Sequence, residues 1–124
     1  MDIVKTEGYN NIYEVDCFSK EFKGIFKNDD TLLKRYSKWL RRQLTILDYE
    51  GKNAIVRGSF EYISDNIYSI RYAKSKCNPR VLYTFILSDN KILLLAPFLE
   101  KSKSDYSKTL KTAKARIKKL LEEE

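Results

Sequence analysis

Residues Arg80 to Phe98, RVLYTFILSDNKILLLAPF, decide how this chain folds. Two runs rich in β-branched, aromatic and leucine residues flank Ser88-Asp89-Asn90, a turn signal, and predict strands over 80–87 and 91–98. Upstream, Ile67 to Ala73 reads as a further strand, joined to the hairpin by the polar loop Lys74 to Pro79. Connections this short predict an antiparallel meander. The hairpin opens on Arg80 and runs into Glu100-Lys101-Ser102-Lys103, so it also carries charge to one end of the sheet.

Ahead of the meander, NIYEVDCF alternates Ile12, Glu14 and Asp16 with Tyr13, Val15 and Cys17, which suits a first strand. SKEFKGIF then predicts a short helix capped by Ser19, with Phe18, Phe22, Ile25 and Phe26 on one side. A long helix follows, with caps at Asn28 to Asp30. Its apolar stripe runs through Leu32, Leu33, Tyr36, Trp39, Leu40, Leu44 and Leu47 and stops at Gly51. Lys34, Arg35, Lys38, Arg41 and Arg42 take the other face, either as a solvated surface or as a phosphate-contacting one. Trp39 reads as a core residue or a partner-facing anchor. KNAIVRGSFEYISDN reads as an irregular link. At the C-terminus, Tyr106, Leu110, Ala113, Ile117 and Leu120 form a helical stripe, with Ser102 or Ser104 as cap. Between Lys101 and Lys119, Lys101, Lys103, Lys108, Lys111, Lys114, Arg116, Lys118 and Lys119 stand against one acid, Asp105.

The sum of these elements is a single α+β domain over residues 1–124. A small antiparallel or mixed sheet of about four strands carries two N-terminal helices and a C-terminal helix packed on it. A net charge of +7 and a pI near 9.3 favour a polyanionic partner, a solvated basic surface being the other reading. The absence of histidine excludes a Cys/His zinc site and every His-dependent mechanism. Cys17 and Cys77 are solitary and read as reduced thiols, with one disulfide as the alternative. No apolar run approaches membrane-spanning length, and MDIVKTEGYNNIYEV lacks the layout of a signal peptide. A cytoplasmic protein that engages no membrane is expected.

The simplest registers set Arg80 opposite Leu99 and opposite Ala73, with Arg71 opposite Leu82. Arg71 and Arg80 then share a sheet face as diagonal neighbours roughly 7 Å apart. Lys101 and Lys103 leave the last strand at the same end. Like charges gathered in this way need an anionic ligand or an internal acid, and Glu61, Glu100 and Asp105 are the available acids.

With these residues in place the chain resembles the RelE/ParE toxin superfamily, in its HigB-like, phage Gp49-like branch. The order of elements and the stretches NIYSIRYA, NPRVLYTF and LLLAPFLEKSKSDY carry the resemblance. It implies a RelE-like fold and the toxin of a type II toxin–antitoxin pair. Such a toxin is a ribosome-dependent mRNA interferase, a metal-independent endoribonuclease that blocks translation and needs no cofactor. Its partners would be mRNA, the ribosome and a cognate antitoxin of the helix-turn-helix, HigA-like type. Carried onto this sequence, the resemblance makes Arg71 and Arg80 the ligands of the scissile phosphate, Lys101 the basic residue after the last strand and Tyr106 a late catalytic tyrosine. Ser69 stands where some members carry a strand lysine, and Glu100 where many carry the first of two lysines.

RNA can be cut by its own 2′-hydroxyl, so a protein need only align the attack, move two protons and stabilise phosphate charge. Arginine suits the charge because its fork binds phosphate oxygens in pairs, which points to Arg71 and Arg80. A lysine crowded by arginines is a candidate acid or base, which points to Lys101, while Tyr106 could stack on a base or move a proton. Lys74, Lys76, Lys103 and Lys108 are the candidate RNA-binding residues. On this reading the charge of Arg80 is spare for folding. Two other readings stay open: a non-catalytic, ParE-like inhibitor of DNA gyrase, and an inactive phage or prophage relative that binds nucleic acid or protein.

Overall fold

The computed structural model describes residues 1–72, 75–86 and 91–122. In chain order these form β1 (Ile3–Lys5), β2 (Ile12–Val15), α1 (Phe18–Gly24), α2 (Asp30–Glu50), a 3₁₀ turn (Gly51–Val56), β3 (Phe60–Ser64), β4 (Ile67–Arg71), β5 (Pro79–Ile86), β6 (Lys91–Leu99) and α3 (Lys103–Glu122).

The α+β class stands, but the expected sheet of about four strands with two N-terminal helices does not. Among the described residues the sheet has six strands in the order β1-β2-β6-β5-β4-β3. β1 and β3 extend it by one strand at each edge. The expected first strand is therefore the second, and the helices follow a β-hairpin, with the long α2 central in the chain. The link expected to be irregular holds the 3₁₀ turn and β3. All ladders are antiparallel except β2 with β6, which are parallel. A parallel pair needs a long crossover, and everything from α1 to β5 supplies it.

β5 and β6 are buried along nearly their whole length because helices cover both faces of the sheet. On one face, Tyr106 of α3 packs edge-on against Phe98 of β6. On the other, Tyr36 and Trp39 of α2 pack against Tyr72, which alternation turns away from Arg71. Tyr36, Trp39, Leu40, Leu44 and Leu47 are the buried stripe of α2, and Phe18, Phe22 and Phe26 meet it from α1 and the turn after it.

Local chemistry sets the element ends. Asp29 caps α2 by accepting from the Leu32 amide at 3.1 Å, and Gly51 ends it at φ 57, donating to the Leu47 carbonyl. Ser19 does not cap α1; its hydroxyl donates to Glu14 at 2.8 Å. Ser102 rather than Ser104 caps α3 through a reciprocal box. Its Oγ accepts from the Asp105 amide, while the Asp105 carboxylate accepts from the amides of Ser102 and Lys101. Asp65 and Asn66, at φ 49 and 64, make the two-residue turn that joins β3 to β4.

α3 is fastened at its middle. The Arg116 guanidinium donates to both carboxylate oxygens of Glu21 on α1, at 2.7 and 2.5 Å, and to the Leu95 carbonyl at 2.6 Å. Leu95 lies at the irregularity where the register of β5 with β6 shifts between Leu82 and Tyr83. Cys17 and Cys77 are both free thiols. No helix among the described residues is long and apolar enough to cross a membrane.

Candidate functional site at the arginine end of the sheet

The register brings the two arginines closer than the sequence suggests. Arg71 lies directly opposite Arg80, and Arg80 lies opposite Phe98 rather than Leu99. The β4–β5 ladder runs unbroken from Ile67 opposite Thr84 to Arg71 opposite Arg80, and the Tyr72 amide extends it to the Pro79 carbonyl at 3.2 Å. The β5–β6 ladder starts from Ile86 opposite Lys91, and the bulge at Leu95 brings Arg80 opposite Phe98 rather than Pro97. The positions of Ala73, Lys74 and the Leu87 to Asn90 segment, which includes the expected turn, lie outside the described residues.

Directly opposed arginines repel unless anions lie between them. Glu61, on the unexpected strand β3, is that anion. It accepts from Arg80 Nη1 at 2.8 Å and meets Arg71 Nη1 at 3.8 Å. Glu100 completes the enclosure with an ion pair to Arg80 Nε, although the geometry gives that N–H no hydrogen bond. Asn78, in the left-handed conformation at φ 45, sets Glu100 in place: its carbonyl accepts from the Glu100 amide at 3.1 Å and its amide group donates to the Glu100 carbonyl at 3.4 Å. Arg80 is consequently buried, at 8% exposure, with a carboxylate on each side and the Tyr106 ring 5.5 Å from its guanidinium carbon. Its charge is not spare for folding, contrary to the expectation from sequence. Arg71 is different, because its side chain is 37% exposed and its ion pair is long.

Burial, and then the negative charge of Glu61, raise the Tyr106 hydroxyl above the ordinary tyrosine value; Arg80 acts against them and Glu100 with them. The phenol is thus protonated at neutral pH. Ser69, expected as a departure from a lysine, is fully buried between Glu61 and Leu82 in the ladder, where a lysine ammonium would have no water.

The structure thus gathers Arg71, Arg80 and Tyr106, and adds Glu61 and Glu100. Lys101 sits one residue beyond Glu100 and is exposed, and among the described residues no hydrogen bond or ion pair joins its ammonium to the cluster. Lys76, Lys103 and Lys108 are exposed as well, Lys103 and Lys108 on α3 and Lys76 in the loop before β5. Glu61 was legible in the sequence only as a possible neutralising acid. The signal that would have placed it was FEYIS-DN-IYSIR, a hairpin pattern about Asp65-Asn66. Compared with protein-family models, with curated proteins and with solved structures, the chain matches none.

Proposed function

We propose that the chain is the toxin of a type II toxin–antitoxin pair and cuts mRNA on the ribosome, as its resemblance to HigB-like toxins implies. The observation that carries the proposal is one carboxylate, Glu61, held between two directly opposed arginines beside a protonated tyrosine. Metal-independent RNA cleavage needs a base, an anion clamp and an acid at one place. Glu61 takes the proton of the 2′-hydroxyl, whose oxygen attacks phosphorus and forms the 2′,3′-cyclic phosphate. Arg71, the more exposed of the two arginines, binds the phosphate oxygens. The bond to the 5′ oxygen breaks and Tyr106 protonates it; solvent restores Glu61 and Tyr106. Arg80 aims Glu61 and is a positioning residue on this mechanism. A cytoplasmic site of action and a helix-turn-helix antitoxin follow from the same reading.

Induction of the chain alone should arrest bacterial growth and produce new 5′ ends inside translated messages. Arg71→Ala and Glu61→Gln should each lower cleavage about a hundredfold in folded protein. Full cleavage by both variants would overturn the mechanism. A second reading, binding without cleavage, draws on the pairing of Arg80 with two carboxylates, which closes much of the cluster to a phosphate. Growth arrest with intact messages and altered DNA topology would favour gyrase inhibition, and no arrest would favour the inactive relative.

A further inference from the structure

A second cationic surface lies on the other face of the sheet. Lys34, Lys38 and Arg42 recur at four-residue steps along α2, about 6 Å apart by helical rise. With Arg35 they line an open groove of about 770 Å³ together with Tyr72, Trp39, Thr31 and one acid, Asp30, which forms no ion pair with them. All four cations are exposed, and among the described residues none has an acid within ion-pairing distance. The aromatic wall is rigid. The Tyr72 ring stacks on the buried Trp39 at 5.5 Å and 22°, meets Tyr36 edge-on at 6.0 Å, and stays 38% exposed. On α3, Lys114 pairs with Asp65 at 3.1 Å, and no α3 lysine lines this groove.

We propose that this groove binds single-stranded RNA, with successive backbone phosphates along Lys34, Lys38 and Arg42 and one base stacked on Tyr72. A row of unpaired cations beside a fixed aromatic face is what a single strand requires, because phosphates supply sequence-independent charge and every base has a stacking face. A duplex would present no free base to Tyr72. An acidic peptide would use the cations and leave the aromatic wall unexplained. The choice of RNA over DNA rests on the proposed mRNA substrate; the groove itself does not.

The test is anisotropy of a labelled oligouridylate with the full chain across a range of salt concentrations. Wild type should bind with a steep salt dependence. The Lys34→Ala/Lys38→Ala/Arg42→Ala variant should lose affinity and flatten the slope of log K against log salt by about 2. Tyr72→Ala should weaken binding about tenfold without changing that slope, and Tyr72→Phe should restore it. The triple variant alters only exposed positions, so it carries the test even where Tyr72→Ala loosens Trp39. An unchanged slope in the triple variant would overturn the groove as the site. Equal binding of oligodeoxythymidylate would overturn the preference for RNA, and preferential binding of polyglutamate would reassign the groove to an acidic protein. These outcomes are separable from the cleavage reading, which is judged on message ends and on Arg71 and Glu61.

Discussion

The two cationic regions of this molecule have opposite electrostatic designs. At the arginine end of the sheet, Arg80 is buried between Glu61 and Glu100 and Arg71 leans on Glu61. Along α2, Lys34, Arg35, Lys38 and Arg42 have no acidic partner among the described residues and line an open groove. A cation that the fold neutralises contributes to the fold and to aiming its partner. One left unneutralised in a concave, aromatic-walled surface is available to a ligand, at a modest cost in self-repulsion. Density of charge in the sequence does not separate these cases; the positions of the acids do.

Removing the paired arginine is the strongest way to break the comparison. Arg80→Ala would strand two partly buried carboxylates and remove the cation facing Tyr106, at an expected cost of about 3 kcal/mol of stability. Chemical denaturation measures this, and an unchanged midpoint would mean that the carboxylates do not need Arg80. The variant's cleavage must therefore be read only on protein shown to be folded.

A smaller effect comes from the tyrosines. Tyr106 beside the cluster and Tyr83 in the core both have hydroxyls raised above the ordinary value, each chiefly by burial, Tyr83 further by Tyr68. The unfolded chain loses these protons near pH 10 while the folded chain still holds them, so stability falls as pH rises beyond that point, by up to about 1.4 kcal/mol per pH unit for each such group. Tyr83→Phe should make the alkaline loss shallower. An identical slope in wild type and variant would show that Tyr83 ionises equally in both states.

The smallest expected change sharpens the contrast from the other side. The triple alanine variant on α2 should match wild type in stability to within about 0.5 kcal/mol, since its cations hold nothing together. Equilibrium unfolding of this variant alongside Arg80→Ala compares the two regions directly, and a large loss from the triple variant would erase the distinction.

How much of this was legible in the sequence depended on signal length. α2, with its long stripe ending at Gly51, and the apolar runs of β5 and β6 read clearly because many residues vote for each. β1 has three residues, all exposed, and nothing in Ile3-Val4-Lys5 alternates between core and water. β3 is an edge strand whose buried Phe60 is followed by partly exposed residues, so its pattern is faint without the Asp65-Asn66 turn to anchor it. Sequence places the arginines at the right sheet end, but their direct opposition depends on the β4–β5 register, from Ile67 opposite Thr84 onward, which leaves no mark in residue type. Glu61 went unplaced because its strand did.

The clasp of Arg116 on Glu21 joins residues ninety-five positions apart, and the parallel ladder joins β2 to the last strand of the sheet. During synthesis β2 and α1 leave the ribosome before β6 and Arg116, their partners in the parallel ladder and the clasp, are made. β2 has no strand on its inner side and α1 no arginine until β6 and α3 emerge. Closure of such long loops is slow, and an apolar strand edge waits uncovered in the meantime. The order of translation therefore works against this topology, since β2 and α1 wait for partners that lie some eighty to ninety-five positions further along the chain.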